Sequence, residues 1–194
     1  MLTRVKESVA RRRWTRSEYY KMAELGVFGP DDRLELIGGE IIHMCPQKRP
    51  HAMSVSLAAT ALRAIFEPDH HVQTQSPLAL GLDSDPEPDV AVVAGRERDY
   101  PEHPTTAVLV VEVSDTTLRY DRYRKASLYA QAGIPDYWLL NLPRRQLEVR
   151  REPVPMPDRP FGYGYRVVRR FNASDHVSPL AAPASHVLVA DLLP

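Results

Sequence analysis

Apolar positions along the chain change period several times, and each change marks an element. In "WTRSEYYKMAELG", residues 14–26, Thr15 and Glu18 have capping-box spacing, Trp14 and Tyr19 can form a hydrophobic staple, and Gly26 can close the last turn. This segment predicts a helix. "RLELIGGEIIHM" then sets two short apolar runs about Gly38-Gly39, whose tolerance of positive φ predicts a tight β-hairpin. Residues 51–66, "HAMSVSLAATALRAIF", return to helical spacing, with Pro50 suited to the first turn and Pro68 to the stop.

Strand patterns dominate from there. One strand is expected near "HVQTQSPLAL", followed by a rigid turn at "DSDPEPD" and a short strand at "VAVVA". "TAVLVVEV" is apolar on both alternating faces, as for a central strand covered on both sides. A helix should follow and end at Gly133, with Pro135 just beyond. "DYWLLNL" and "RQLEVRRE" predict a strand pair joined at Pro143-Arg144, and "YGYRVVRRF" predicts one more strand. The Pro-rich stretch at 153–160 reads as a loop. No internal repeat or low-complexity linker divides the chain. The expectation is one domain over 15–194, after a basic, flexible N-terminal stretch at 1–14.

Composition narrows the class. With 43% hydrophobic and 26% charged residues, the chain is an ordinary water-soluble globular type. Its formal charge is zero, so any attraction for polyanions must come from local basic patches. The lone Cys45 excludes an internal disulfide and a cysteine-based zinc cluster, which fits a reducing compartment. No apolar run approaches the ~20 residues that span a bilayer. The basic start lacks the apolar core of a secretory signal, so a cytoplasmic location and no membrane contact are expected.

Three residues then draw attention. Asp89 follows "PEP" and leads into an apolar strand, Glu112 ends the most apolar strand, and Lys125 lies on the next helix in line with Asp121 and Tyr129. Alternation puts Val108, Val110 and Glu112 on one face. If the two strands are antiparallel neighbours, the carboxylates of Asp89 and Glu112 converge. Two hard oxygens with a carbonyl and waters suit Mg²⁺ or Mn²⁺ far better than zinc. Such an ion activates water and neutralises charge on a phosphoryl oxygen, and an ammonium can assist. The plainer alternatives stay open at this point: a turn aspartate beside proline, a solvated strand-end glutamate, and a surface lysine paired with Asp121.

The ordered set "RLELIGGEI", His51, "PEPDVAVV", "VLVVEVSDTT" and "YDRYRKASLYAQAGIPDYWLLN" closely resembles a widespread bacterial family of restriction-endonuclease-like proteins within the PD-(D/E)xK nuclease superfamily. The resemblance runs from about residue 15 to about residue 150. It implies an α/β fold, a restriction-endonuclease-like mixed β-sheet flanked by helices, and a divalent-metal-dependent nuclease site. By position, Asp89 matches the "PD" aspartate and Glu112 the second acidic residue, the pair that would hold Mg²⁺ or Mn²⁺. The superfamily lysine would stand two residues after Glu112, where this chain has Ser114. The similar family shares that departure, and its lysine matches Lys125 on the following helix. A long flexible stem makes such a relocation physically reasonable.

Further positions match less specifically. Glu35 and Glu40 correspond to acidic positions of the family's first hairpin, where one could reach the metal or its waters, and each reads equally well as a solvent-exposed hairpin charge. His51 could touch phosphate or a metal-bound water, or cap its helix. Asp121 could hold Lys125, although charge compensation at the helix N-terminus explains it just as well, and Tyr129 reads first as packing against the sheet, while its hydroxyl could orient Glu112. Gly38 stands where relatives often carry Asp, and both residues suit the turn. Basic residues gather at 119–125, 144–151 and 166–170, without a helix-turn-helix, zinc-finger or RNA-binding signature. The expectation is an endonuclease hydrolysing DNA with metal-activated water and acting as a homodimer. The alternatives are a catalytically silent interaction or DNA-binding module, and a related hydrolase acting on RNA or a nucleotide.

Overall fold

The computed structural model describes residues 10–194, so residues 1–9 of the basic N-terminal stretch lie outside the described residues. Helix α1 (Arg16–Glu24) begins on the anticipated capping box: Glu18 N–H donates to the Thr15 hydroxyl, and Thr15 N–H donates to the Glu18 carboxylate. Strands β1 (Leu34–Ile37) and β2 (Glu40–His43) form the hairpin, with Gly38 and Gly39 at φ 58° and 74°. Space reinforces conformation at that turn. A Cβ on Gly38 would stand 2.7 Å from the Phe161 ring, so any side chain there would need Phe161 to move. Helix α2 (Arg49–Phe66) carries Pro50 in its first turn.

A six-stranded sheet runs in the order β3-β4-β5-β6-β7-β8, built from His70–Thr74, Val90–Ala94, Leu109–Ser114, Asp136–Asn141, Gln146–Pro155 and Tyr163–Asn172. Only β5 and β6 pair in parallel; the other neighbours are antiparallel. The fold is thus mixed α/β with a central mixed sheet. Helix α2 and the C-terminal Val187–Leu193 region cover one face, through Val55, Leu62, Val189 and Leu192. The helical segment after β5 and the β1–β2 hairpin cover the other, through Leu128, Tyr129 and Ile37. Burying each such side chain stabilises the fold by roughly 1.5–3 kcal/mol. Among the described residues no helix is long and apolar enough to cross a membrane.

Three elements depart from the sequence pattern. Strand β3 stops at Thr74 because Gln75 takes φ 47° and turns its N–H toward the Pro88 and Asp89 carbonyls. Strand β7 continues through Pro153 and Pro155 into the expected loop. There its only sheet neighbour is β8, because β6 begins opposite Arg151, so the missing proline donors break no second ladder. The helix after β5 is a composite of α3 (Leu118–Tyr120), a π turn (Asp121–Lys125) and α4 (Ala126–Gln131). In the π turn Ala126 N–H donates to the Asp121 carbonyl, five residues back.

Candidate active site

The register of β4 on β5 pairs Val90 with Val111, so one step further Asp89 stands across from Glu112. The antiparallel neighbourhood anticipated from sequence is present. Asp89 is held tightly: Val113 N–H donates to its Oδ2 at 2.8 Å, His51 Nε2 lies 3.2 Å from the same oxygen, and Gln75 Nε2 donates to Oδ1 at 3.3 Å. Burial pushes its carboxyl up, but His51, the Val113 N–H and Lys125 outweigh that and hold it below its usual range. His51 answers in kind. Burial opposes its charge, yet the bond and charge of Asp89 raise its pKa above the ordinary histidine value.

Glu112 is 4% exposed and points to the face covered by the composite helix. Lys125 Nζ donates to Glu112 Oε1 at 2.9 Å and to Glu35 Oε1 at 3.0 Å, and the Tyr129 hydroxyl donates to Glu112 Oε1 at 2.6 Å. Lys125 therefore pairs with two glutamates from other strands, and Asp121 accepts from the Thr117 hydroxyl at 2.6 Å instead. The π turn sets this arrangement, since Asp121 and Lys125 are both buried at its ends.

Charge in the cluster is unbalanced. Burial pushes the Glu112 carboxyl well above its usual range; Lys125 opposes this, while Asp89, Asp121 and Glu35 push it further up. Burial disfavours the Lys125 charge, but Glu112, Glu35 and Asp121 raise its pKa well above normal, so it stays an ammonium. Glu35 lies fully buried on β1, where Glu87 N–H also donates to its Oε1 at 3.0 Å, and its Oε2 has no partner among the described residues. Carboxylates outnumber cations here.

A cavity of about 200 Å³ opens onto this cluster, lined by Asp89, Glu112, Lys125, Asp121, His51 and Tyr120. Glu35 and Tyr129 stand behind its wall and hold Lys125 and Glu112. Glu40 is drawn off to Arg124 at 2.6 Å, away from the cavity. Among the described residues no group of three or more His, Cys, Asp or Glu side chains has ligating geometry. The donor set is two hard carboxylates beside an excess of negative charge, which fits a Mg²⁺-class ion that keeps waters and substrate oxygens as its remaining ligands.

Sequence reasoning missed Tyr120, Gln75 and Thr117. The Tyr120 hydroxyl is buried without a partner, and burial followed by the Glu35 charge pushes its pKa to about 12, so it remains a donor. Thr117 stands four residues before Asp121, a spacing that could have flagged it. Gln75 reaches Asp89 through a backbone reversal that no local pattern announces.

A family described as "Uma2: Putative restriction endonuclease" matches residues 16–180. No curated protein matches the chain. Among solved structures, the crystal structure of a putative nuclease belonging to DUF820 from Anabaena variabilis aligns with a TM-score of 0.64 at 17% identity. That alignment covers 87% of this chain and 94% of that one.

Proposed function

This chain belongs to the Uma2 putative restriction endonuclease family, and from that premise we propose that it is a divalent-metal-dependent endonuclease hydrolysing DNA phosphodiester bonds. The observation that carries the reading is the reach of Lys125 from the π turn to Glu112, at 2.9 Å, in a chain with Ser114 at the superfamily lysine position. Asp89 and Glu112 would hold Mg²⁺ or Mn²⁺. Such an ion supplies Lewis acidity and a bound water of lowered pKa.

The chain's own groups do the rest. Val113 N–H and His51 fix one Asp89 oxygen, and Tyr129 fixes one Glu112 oxygen, so both carboxylates are aimed before substrate arrives. Glu35 keeps Lys125 charged and fixed from behind. Its ammonium then stands ready to stabilise charge that develops on the phosphoryl oxygens. The unpartnered Tyr120 O–H is a further donor at the cavity for a phosphate oxygen. Residues 15–194 act as one domain in this reading, and cleavage of both strands uses two copies in a homodimer.

Duplex DNA, single strands and RNA incubated with Mn²⁺, Mg²⁺ or EDTA test the proposal. Metal-dependent cleavage of DNA is expected, falling about 10²-fold or more in Lys125→Ala. Exclusive cleavage of RNA would move the activity to a ribonuclease. No cleavage of any substrate by the folded protein would leave a silent nuclease-fold module.

A further inference from the structure

Each of the three basic stretches at 119–125, 144–151 and 166–170 sends one arginine to the same carboxylate. Glu148 on β7 has a fully buried side chain. Arg122 Nε donates to both its oxygens at 3.1 Å and Arg122 Nη2 adds a bond to Oε1; Arg150 Nη2 donates to Oε2 at 2.9 Å, and Arg170 Nε lies 3.5 Å from Oε1. Three guanidinium charges meet one carboxylate, leaving a local excess of two positive charges. Donors exceed acceptors as well. Each guanidinium has five N–H groups, both Glu148 oxygens are taken, and Arg150 Nε is buried without a partner among the described residues.

Exposure rises outward across the cluster, from 14% for the Arg150 side chain through 33% for Arg122 to 64% for Arg170. The Arg122 guanidinium is thus seated on a buried anion through Nε and Nη2 while a third of its side chain stays exposed, and Arg170 is exposed further still. That geometry suits an incoming tetrahedral oxyanion. Its position adds a second argument. Glu112 is opposite Leu139, and Leu139 is opposite Glu148, so the two glutamates share one face two strands apart, roughly 10 Å at the usual strand spacing. Arg122 and Lys125 also leave the same π turn. A phosphate at the arginines would belong to a backbone only a few nucleotides from the cavity, at ~3.4 Å rise per nucleotide.

We propose that Arg122, Arg150 and Arg170 form a phosphate subsite that grips the polynucleotide backbone beside the scissile position. The subsite rests on the nuclease reading for its substrate class, yet it binds independently of chemistry. Glu148 sets the guanidinium planes and tempers their charge.

The test is anisotropy of a labelled DNA duplex with EDTA present, across a salt series, alongside Mn²⁺ cleavage at saturating DNA. Arg170→Ala should weaken binding several-fold and flatten the salt dependence by about one unit of slope. Glu148→Gln, which keeps the shape and removes the negative charge, should tighten binding, an effect that a merely structural role would not produce. Wild-type cleavage with unchanged binding in both variants would overturn the subsite and leave the nuclease intact. Binding that responds as expected without any Mn²⁺ cleavage would support the subsite and sink the nuclease reading. A wild type that binds no DNA overturns the subsite outright.

Discussion

Glu112 and Glu148 lie on one face of the same sheet with Leu139 between them, both buried, and their surroundings drive their carboxyls in opposite directions. At Glu112, burial and three nearby carboxylates outweigh Lys125 and raise the pKa well above normal. At Glu148, burial also pushes upward, but the Arg122 bond and the charges of Arg150 and Arg122 overcome it and lower the pKa. The residue type and the sheet position are alike; the count of cations differs. One cluster is short of positive charge and the other has it in surplus. A buried carboxylate short of cations is a poor contributor to stability and a good candidate for metal binding.

The largest effect expected is on activity. Asp89→Ala, Glu112→Ala and Lys125→Ala should each lower metal-dependent cleavage by about 10²–10³-fold, while Glu148→Gln should leave the rate at saturating DNA nearly unchanged. A Glu148 variant as inactive as Glu112→Ala would erase the distinction between the two clusters.

Stability should separate the two glutamates by sign. Glu148→Gln leaves three arginines without their anion and should destabilise by about 1–3 kcal/mol at neutral pH. Glu112→Gln leaves Lys125 paired one to one with Glu35 and should stabilise by about 0.5–2 kcal/mol. Urea denaturation of both variants measures this, and shifts of the same sign would contradict the charge argument.

The pH window differs too. Because the folded pKa of Glu148 is depressed, its contribution is present above the unfolded value near 4.5 and fades as pH falls below it. For Glu112 the folded pKa is raised, so full stability is present below about 4.5 and is lost as pH rises toward that raised value. The gap between wild type and Glu148→Gln should therefore close in acid below 4.5. The advantage of Glu112→Gln should instead grow as pH climbs above 4.5. Midpoints measured from pH 3 to pH 8 resolve the two. Smallest of all, Tyr129→Phe removes one bond to Glu112 and should lower stability by about 1 kcal/mol, with a modest fall in cleavage.

Local chemistry made much of this readable from sequence. The Thr15–Glu18 box, the Gly38-Gly39 turn and the short strand at 90–94 depend on near neighbours, and each appears where the pattern placed it. The antiparallel meeting of β4 with β5 was accessible because Asp89 and Glu112 make sense together only in that register. What stayed hidden depends on distant chain. Glu148 alternates with Leu147 and Val149, which reads as a solvent-facing position until the composite helix is seen to cover that face. Glu35 looked free to be a hairpin charge, and its burial comes from Glu87 and Lys125, 52 and 90 residues away. The π turn has no signature in "YDRYRK", whose spacing of four fits an ordinary helix equally well.

Mn²⁺ binding by calorimetry on wild type, Asp89→Ala and Glu112→Ala, each with and without duplex DNA, decides whether Asp89 and Glu112 form a metal site. Wild type should bind the ion, at least with DNA present, and both variants should lose it while they remain folded. A folded wild type that binds no Mn²⁺ under either condition, or variants that bind it as well as wild type, would contradict such a site.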